Sequence, residues 1–307
     1  MNWKKVSIIG VIFLVAMVGV YNGYQRHQSD AVPAVKTVRK KSTTKQSSAT
    51  SSKKTNPIKS KSTQTAGNHR AQAVQSVLNQ YRNQKNVGVV YTDLKTGKTA
   101  TINGDRMFYA ASVAKLPVVA YVQHAIVTGK ISWTTKFTYA DAANALPNAM
   151  ISGGTGTLQN ENHQGKSYTV MDLTQRAIEQ SDNQASNQLL YHVAHANEQD
   201  FKQYLQSTIG SKTYSKTMNA MQVNRVIIAV WQQKQKASTW LEQTNWKHDK
   251  IGTLPVTVAH KIGINGAANN DTAIVVSRHQ FALTIMTDGW SDAQIAKLAQ
   301  QIYAVAK

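Results

Sequence analysis

Three short clusters in this chain carry residue types that can make and break an acyl bond. In Ser112-Val113-Ala114-Lys115 a hydroxyl and an amine stand three residues apart, just ahead of the apolar run Leu116–Ile126. On a helical turn that spacing puts both groups on one face. A serine hydroxyl becomes a competent nucleophile when a base takes its proton, and a lysine serves as that base if burial or a second cation lowers its pKa. A helix N-terminus also stabilises negative charge developing beside it. Ser181-Asp182-Asn183 offers a second hydroxyl, able to hand a proton to a leaving nitrogen, and an amide able to hold a substrate's amide. His260-Lys261-Ile262-Gly263 offers a second amine, able to bind a carboxylate and to depress the pKa of Lys115. Its glycine admits a ligand close to the backbone. Each cluster alone also fits an ordinary role: a capping serine near a surface lysine, a polar turn, a strand end.

Taken in order, Ser-x-x-Lys, Ser-Asp-Asn and Lys-x-Gly resemble the class A β-lactamases and the wider penicillin-recognising serine enzymes. Further positions join the resemblance: Phe108 four residues before Ser112, the turn Gly153-Gly154-Thr155-Gly156-Thr157-Leu158, the helix entry Tyr168–Leu173, Leu254-Pro255, and Asp271. The match runs over roughly Asn68–Lys307. It implies an α/β (α+β) fold: an antiparallel sheet of about five strands built from both chain ends, packed by terminal helices, plus an all-helical subdomain. It implies that Ser112 attacks a carbonyl to form an acyl-enzyme, with Lys115 as base and Ser181, oriented by Lys261, as proton donor to the departing nitrogen. Asn183 would position the substrate's amide, Gly263 would admit the substrate, and the N–H groups of Ser112 and Ile264 would form the oxyanion hole. Asp182 would brace its loop. No cofactor is implied.

Two departures from that pattern carry predictions. Ile262 stands where the family has Thr or Ser, which removes a hydroxyl facing the substrate carboxylate and predicts weaker binding of penicillin-like acids. The family's loop with Glu-x-x-Leu-Asn, whose glutamate activates the deacylating water, is missing. Between Asn183 and Lys261 the only acids are Glu198, Asp200, Glu242 and Asp249, none in that motif, and Gly210 leads through Thr213–Thr217 almost directly to Met218. Acylation without efficient deacylation is the expectation. His192 and His195, at i and i+3, lack an evident third ligand, so no metal site is expected.

The elements that must position these groups follow from periodicity. Gln72–Arg82, Leu116–Ile126, Val170–Tyr191, Phe201–Ile209, Met218–Gln233 and Asp292–Val305 read as helices. Asn86–Asp93 and Thr99–Asn103 read as a hairpin about Lys95–Lys98, and Thr257–Lys261, Asp271–Ser277 and Gln280–Thr287 as strands. Asn265-Gly266 reads as a hairpin turn.

Composition bounds the rest. The 307 residues include no cysteine, which excludes disulfides, thiolate metal sites and thiol catalysis. The net charge of +20 suggests nucleic acid, but ten Lys/Arg against the single acid Asp30 fall between Arg26 and Lys61. From Thr63 onward 23 basic residues face 14 acidic ones, so the globular part is only moderately basic and no nucleic-acid partner is expected. Met1–Lys5 is basic and Val6–Val20 uncharged and apolar, the pattern of an export signal without a clean cleavage site. Residues 1–24 therefore read as a membrane anchor or signal segment. Residues 25–68, rich in Ser, Thr and Lys, read as a disordered tether, either a solvated spacer with no specific partner or one that meets anionic envelope polymers, and 69–307 as the hydrolase domain. The expected setting is extracytoplasmic and membrane-anchored, and the expected state a monomer. The expected substrates are β-lactams or peptidoglycan-like acyl amides.

Overall fold

The computed structural model of the chain describes residues 58–307, with side chains from Ala66 onward. The apolar segment Val6–Val20 and most of the tether lie outside the described residues. The first helix, α1 (Ile58–Asn79), begins well inside the stretch read as tether.

Strand β1 (Val87–Asp93) turns back into β2 (Thr99–Ile102), the hairpin the sequence predicts, with Val89 opposite Ile102. Next come β3 (Met107–Tyr109), a 3₁₀ turn over Ala111–Lys115 and helix α2 (Leu116–Val127). Strands β4 (Lys136–Thr138) and β5 (Ser167–Thr169) pair with each other and lead to α3 (Val170–Glu179) and α4 (Asn183–Leu189). Helix α5 (Glu198–Ile209) precedes β6 (Thr217–Asn219), which pairs with β3, and then α6 (Ala220–Gln232) and α7 (Lys236–Glu242). Strands β7 (Thr257–Asn265), β8 (Ala268–Val276) and β9 (Phe281–Thr287) are followed by α8 (Asp292–Ala306). The antiparallel sheet has the order β2-β1-β9-β8-β7, so its two halves come from opposite ends of the chain.

Both faces of the sheet are covered, which is why β1 and β9 read as nearly continuous apolar runs and not as alternating ones. Val87, Val89 and Tyr91 pack with Val74 and Leu78 of α1 and Ile295, Leu298 and Ile302 of α8. Val90 and Ala282 face the other core, with Val119 and Val122 of α2 and Val223 and Ile227 of α6.

The helix expected over Val170–Tyr191 is broken. Ser181 takes a left-handed backbone (φ 56°), and Asp182 caps a new helix by accepting from the N–H of Ala185 at 2.9 Å. The break turns Ser181 and Asn183 out of the helix register and toward Ser112. β7 also runs past Lys261 to Asn265, so Gly263 lies within the strand.

Buried Asp93 closes the first hairpin. Its Oδ1 accepts from the N–H groups of Lys95 and Thr96, and its Oδ2 takes two hydrogen bonds from Arg70, at 2.7 and 3.0 Å. Burial pushes its carboxyl up, but the bonds from Arg70 and Thr96 outweigh this and hold it below the usual range. Asp93→Ala strands a mostly buried guanidinium and two N–H groups, and is expected to cost about 3–5 kcal/mol. Denaturant unfolding measures this directly; a loss within about 0.5 kcal/mol, the ordinary surface value, would contradict it.

Candidate active site

The turn that carries Ser112 is held from three sides. β3 enters it, with Phe108 buried and paired to Met218. Ala110 donates to the carbonyl of Lys216 at 2.7 Å. β7 presses on it from the far side: a Cβ on Gly263 would stand 2.5 Å from the Ala110 carbonyl oxygen and 3.1 Å from the Ser112 nitrogen. Ala111 has φ 49°, a strained conformation for a residue with a side chain, stored immediately before Ser112.

Lys115 Nζ lies 2.7 Å from Ser112 Oγ, 2.7 Å from Asn183 Oδ1 and 3.4 Å from Ser181 Oγ. Its side chain is 1% exposed. Burial, then the nearby Lys261 charge, push its ammonium well below the ordinary lysine range, with Asp182 opposing. Lys261 Nζ donates to Ser181 Oγ at 2.8 Å and to the Ile262 carbonyl at 3.1 Å. Burial, then the charge of Lys250, push Lys261 down to about 7, with Asp271 opposing. Ser181 thus sits between two lysines whose protons are loosely held, and Ser112 has an amine poised to deprotonate it.

Asp182 braces the loop. Its Oδ2 accepts from Leu158 N–H at 2.8 Å, and a Cβ on Gly156 would stand 2.2 Å from that carboxylate, so only glycine lets the turn wrap it. Asn183 lines the cavity and also braces Lys115. Both amide hydrogens go to chain carbonyls, Ile151 at 2.9 Å and Gly153 at 3.0 Å, while its oxygen holds Lys115. It brackets the amine, and its oxygen keeps a second lone pair that can accept from a substrate N–H.

A cavity of about 430 Å³ opens over Ser112. Ser181, Asn183, Ile262 and Ile264 line it. Gly263, expected to admit the substrate, is not among the lining residues; it packs against the backbone of the Ser112 turn. His192 and His195 take no part; His192 stacks on Phe137 at 4.7 Å.

A model of the Beta-lactamase enzyme family matches residues 69–306. The chain belongs to this beta-lactamase family. Solved structures agree on the fold. PBP-A is 18% identical with a TM-score of 0.60, over 76% of this chain and 94% of its own. A beta-lactamase from Burkholderia phymatum is 16% identical with a TM-score of 0.61, over 78% and 99%. One from Chitinophaga pinensis is 20% identical with a TM-score of 0.60, over 78% and 99%. No curated protein matches the sequence.

In this beta-lactamase-family site no lining residue is an acid. Among the four acids of the Asn183–Lys261 interval, Glu198 pairs with Lys202, Asp200 with Lys130, and Glu242 lines a different cavity beside Trp231. The short connection after Gly210 closes onto the Ser112 turn, with the Tyr214 hydroxyl donating to the Ala114 carbonyl at 3.0 Å. Sequence reading missed Tyr109, Met150, Ile151 and Trp246 as lining residues. Trp246 lies in an irregular segment after α7, where no periodicity or motif marks it.

Proposed function

We propose that this beta-lactamase-type serine hydrolase is exported and membrane-tethered, and that it forms an acyl-enzyme at Ser112 with β-lactams or related cell-wall acyl amides which it releases slowly. The observation that carries the reading is the buried amine of Lys115, 2.7 Å from Ser112 Oγ. Neutral Lys115 takes the serine proton as Oγ bonds to the substrate's carbonyl carbon. As the C–N bond breaks, the proton passes through Ser181 to the departing nitrogen, with Lys261 holding Ser181. The N–H groups of Ser112 and Ile264 receive the oxyanion, each worth about 3–4 kcal/mol in comparable hydrolases. The absence of an acid from the cavity lining supports slow deacylation, since no carboxylate stands ready to activate water. The same feature favours, as a second reading, a penicillin-binding peptidase or esterase of the cell wall. A PBP-A variant is described as an acyl-enzyme complex with penicillin G. A catalytically silent sensor is disfavoured, because such a protein has no need of Ser112, Lys115, Ser181 and Lys261 in hydrogen-bonded register.

The test is intact mass of the full chain with time after adding a penicillin. The expected result is a persistent adduct, absent in Ser112→Ala. Rapid loss of the adduct with product accumulation would overturn slow release. No adduct with any β-lactam or activated ester would overturn the acyl-enzyme itself.

A further inference from the structure

The cavity over Ser112 is lined by no charged side chain. Tyr109, Met150, Ile151, Trp246, Ile262 and Ile264 supply its larger walls, Thr155, Ser181, Asn183 and Asn265 its uncharged polar ones, and no Lys, Arg or His lines it. The two cations nearest the reacting serine lie behind these walls. Lys115 is 1% exposed and is engaged by Ser112, Asn183 and Ser181. Lys261 is 0% exposed; Ser181 and the Ile262 carbonyl take two of its bonds, and the Trp246 ring lies against its ammonium at 5.5 Å from the centroid. Neighbouring cations do not compensate. Lys216 donates to the Ala149 carbonyl at 2.8 Å, and exposed Lys247, beside Trp246, is not part of the lining. Residue 262 brings a branched hydrocarbon where a hydroxyl would donate.

A carboxylate entering this cavity gives up water and gains neither an ion pair nor a donor from the third motif. The Ser181 hydroxyl and the Asn265 amide are uncharged, and an anion with no cation partner in a largely apolar cavity is disfavoured. The lowered proton affinity of both lysines, and the buried carboxylate of Asp182 behind them, reduce the positive potential further at neutral pH. The positive balance of the whole chain draws anions toward the surface, but long-range attraction supplies no contact inside the cavity.

Resting on the acyl-enzyme reading above, we propose that the Ser112 site selects uncharged acyl compounds, neutral amides or esters with an apolar group beside the scissile bond. It discriminates against those carrying a carboxylate there. Trp246 and Ile262 set this selectivity, Trp246 by covering Lys261 and Ile262 by withholding a donor.

Benzylpenicillin and its methyl ester make the test, because they share the strained ring and differ only in the carboxylate. Acylation of the full chain is followed by intact mass at pH 7. The methyl ester is expected to react about tenfold faster or more, the scale on which a site discriminates against a group it fails to match. Ile262→Thr and Trp246→Ala are each expected to move the ratio toward the free acid, with folding of each variant checked by thermal melting. A free acid that reacts as fast as the ester in the wild type overturns the selectivity while leaving the acyl-enzyme intact. A wild-type preference for the ester that neither variant shifts overturns the roles given to Trp246 and Ile262. If neither penicillin nor p-nitrophenyl acetate labels Ser112, the acyl-enzyme reading falls and the selectivity with it.

Discussion

Lys115→Met is expected to slow acylation of Ser112 by about 10²–10⁴-fold, the usual contribution of a positioned general base. Methionine is unbranched and only one atom shorter, so it keeps most of the packing, but it leaves Ser112 Oγ without the amine now 2.7 Å away. The protein should not be destabilised in proportion, because removing a buried ammonium removes a desolvation penalty. Melting temperature therefore separates a catalytic loss from a folding loss. The pH profile carries the same assignment. Burial and the charge of Lys261 lower the pKa of Lys115, so the neutral base persists to lower pH than an ordinary lysine allows. Wild-type acylation should climb with pH on the acid side and level off well before pH 10. Lys261→Met removes the neighbouring charge and should move that limb to higher pH, whatever it does to the plateau rate. A wild-type limb near pH 10 would show that Lys115 is not the base. Stability follows a related rule. Lys261 has a folded pKa of about 7 against an ordinary 10.5, so between those values the unfolded chain holds a proton the native state has released. Its contribution to stability is therefore least below pH 7 and rises as pH climbs from 7 toward 10, a slope that Lys261→Met should flatten.

Gly263→Ala is expected to lower acylation by about 10²–10³-fold, the effect of losing an oxyanion donor, although the residue bears no side chain and performs no chemistry. The added methyl would stand 2.5 Å from the Ala110 oxygen, 2.9 Å from the Val113 nitrogen and 3.1 Å from the Ser112 nitrogen. All three are backbone atoms of the nucleophile's turn, so no flexible side chain can swing away. Strand and turn must part, and with them the Ser112 and Ile264 N–H groups. Overpacking of this kind typically costs about 1–3 kcal/mol. Acylation kinetics and thermal melting on the same variant read both effects. Wild-type kinetics would mean that β7 does not set the geometry at Ser112.

Local patterns were legible where neighbouring residues decide them. The β1–β2 hairpin, the three C-terminal strands, the Asn265-Gly266 turn (Gly266 φ 58°) and the last helix all appear near the expected positions. Helical periodicity failed at Val170–Tyr191, because apolar spacing continues across Ser181 while the backbone reverses there to cap a second helix on Asp182. The start of α1 at Ile58 was hidden by polar composition, since Ile58–Arg70 offers few apolar positions to reveal a helix.

The chain by itself determined the family, the order of the three motifs and the identity of Ser112, Lys115, Ser181 and Lys261, because motif spacing and side-chain type are written locally. Only the tertiary structure decided what state those groups are in. Lys115 meets Ser181 across 66 residues, and Lys261 meets it across 80. Their lowered proton affinities, the hold of Asn183 on Lys115, the screen that Trp246 places over Lys261 and the absence of an acid from the cavity arise from burial and through-space distance. Those quantities exist only after distant segments have packed, since desolvation and Coulomb energy depend on what surrounds a charge and not on its neighbours in sequence.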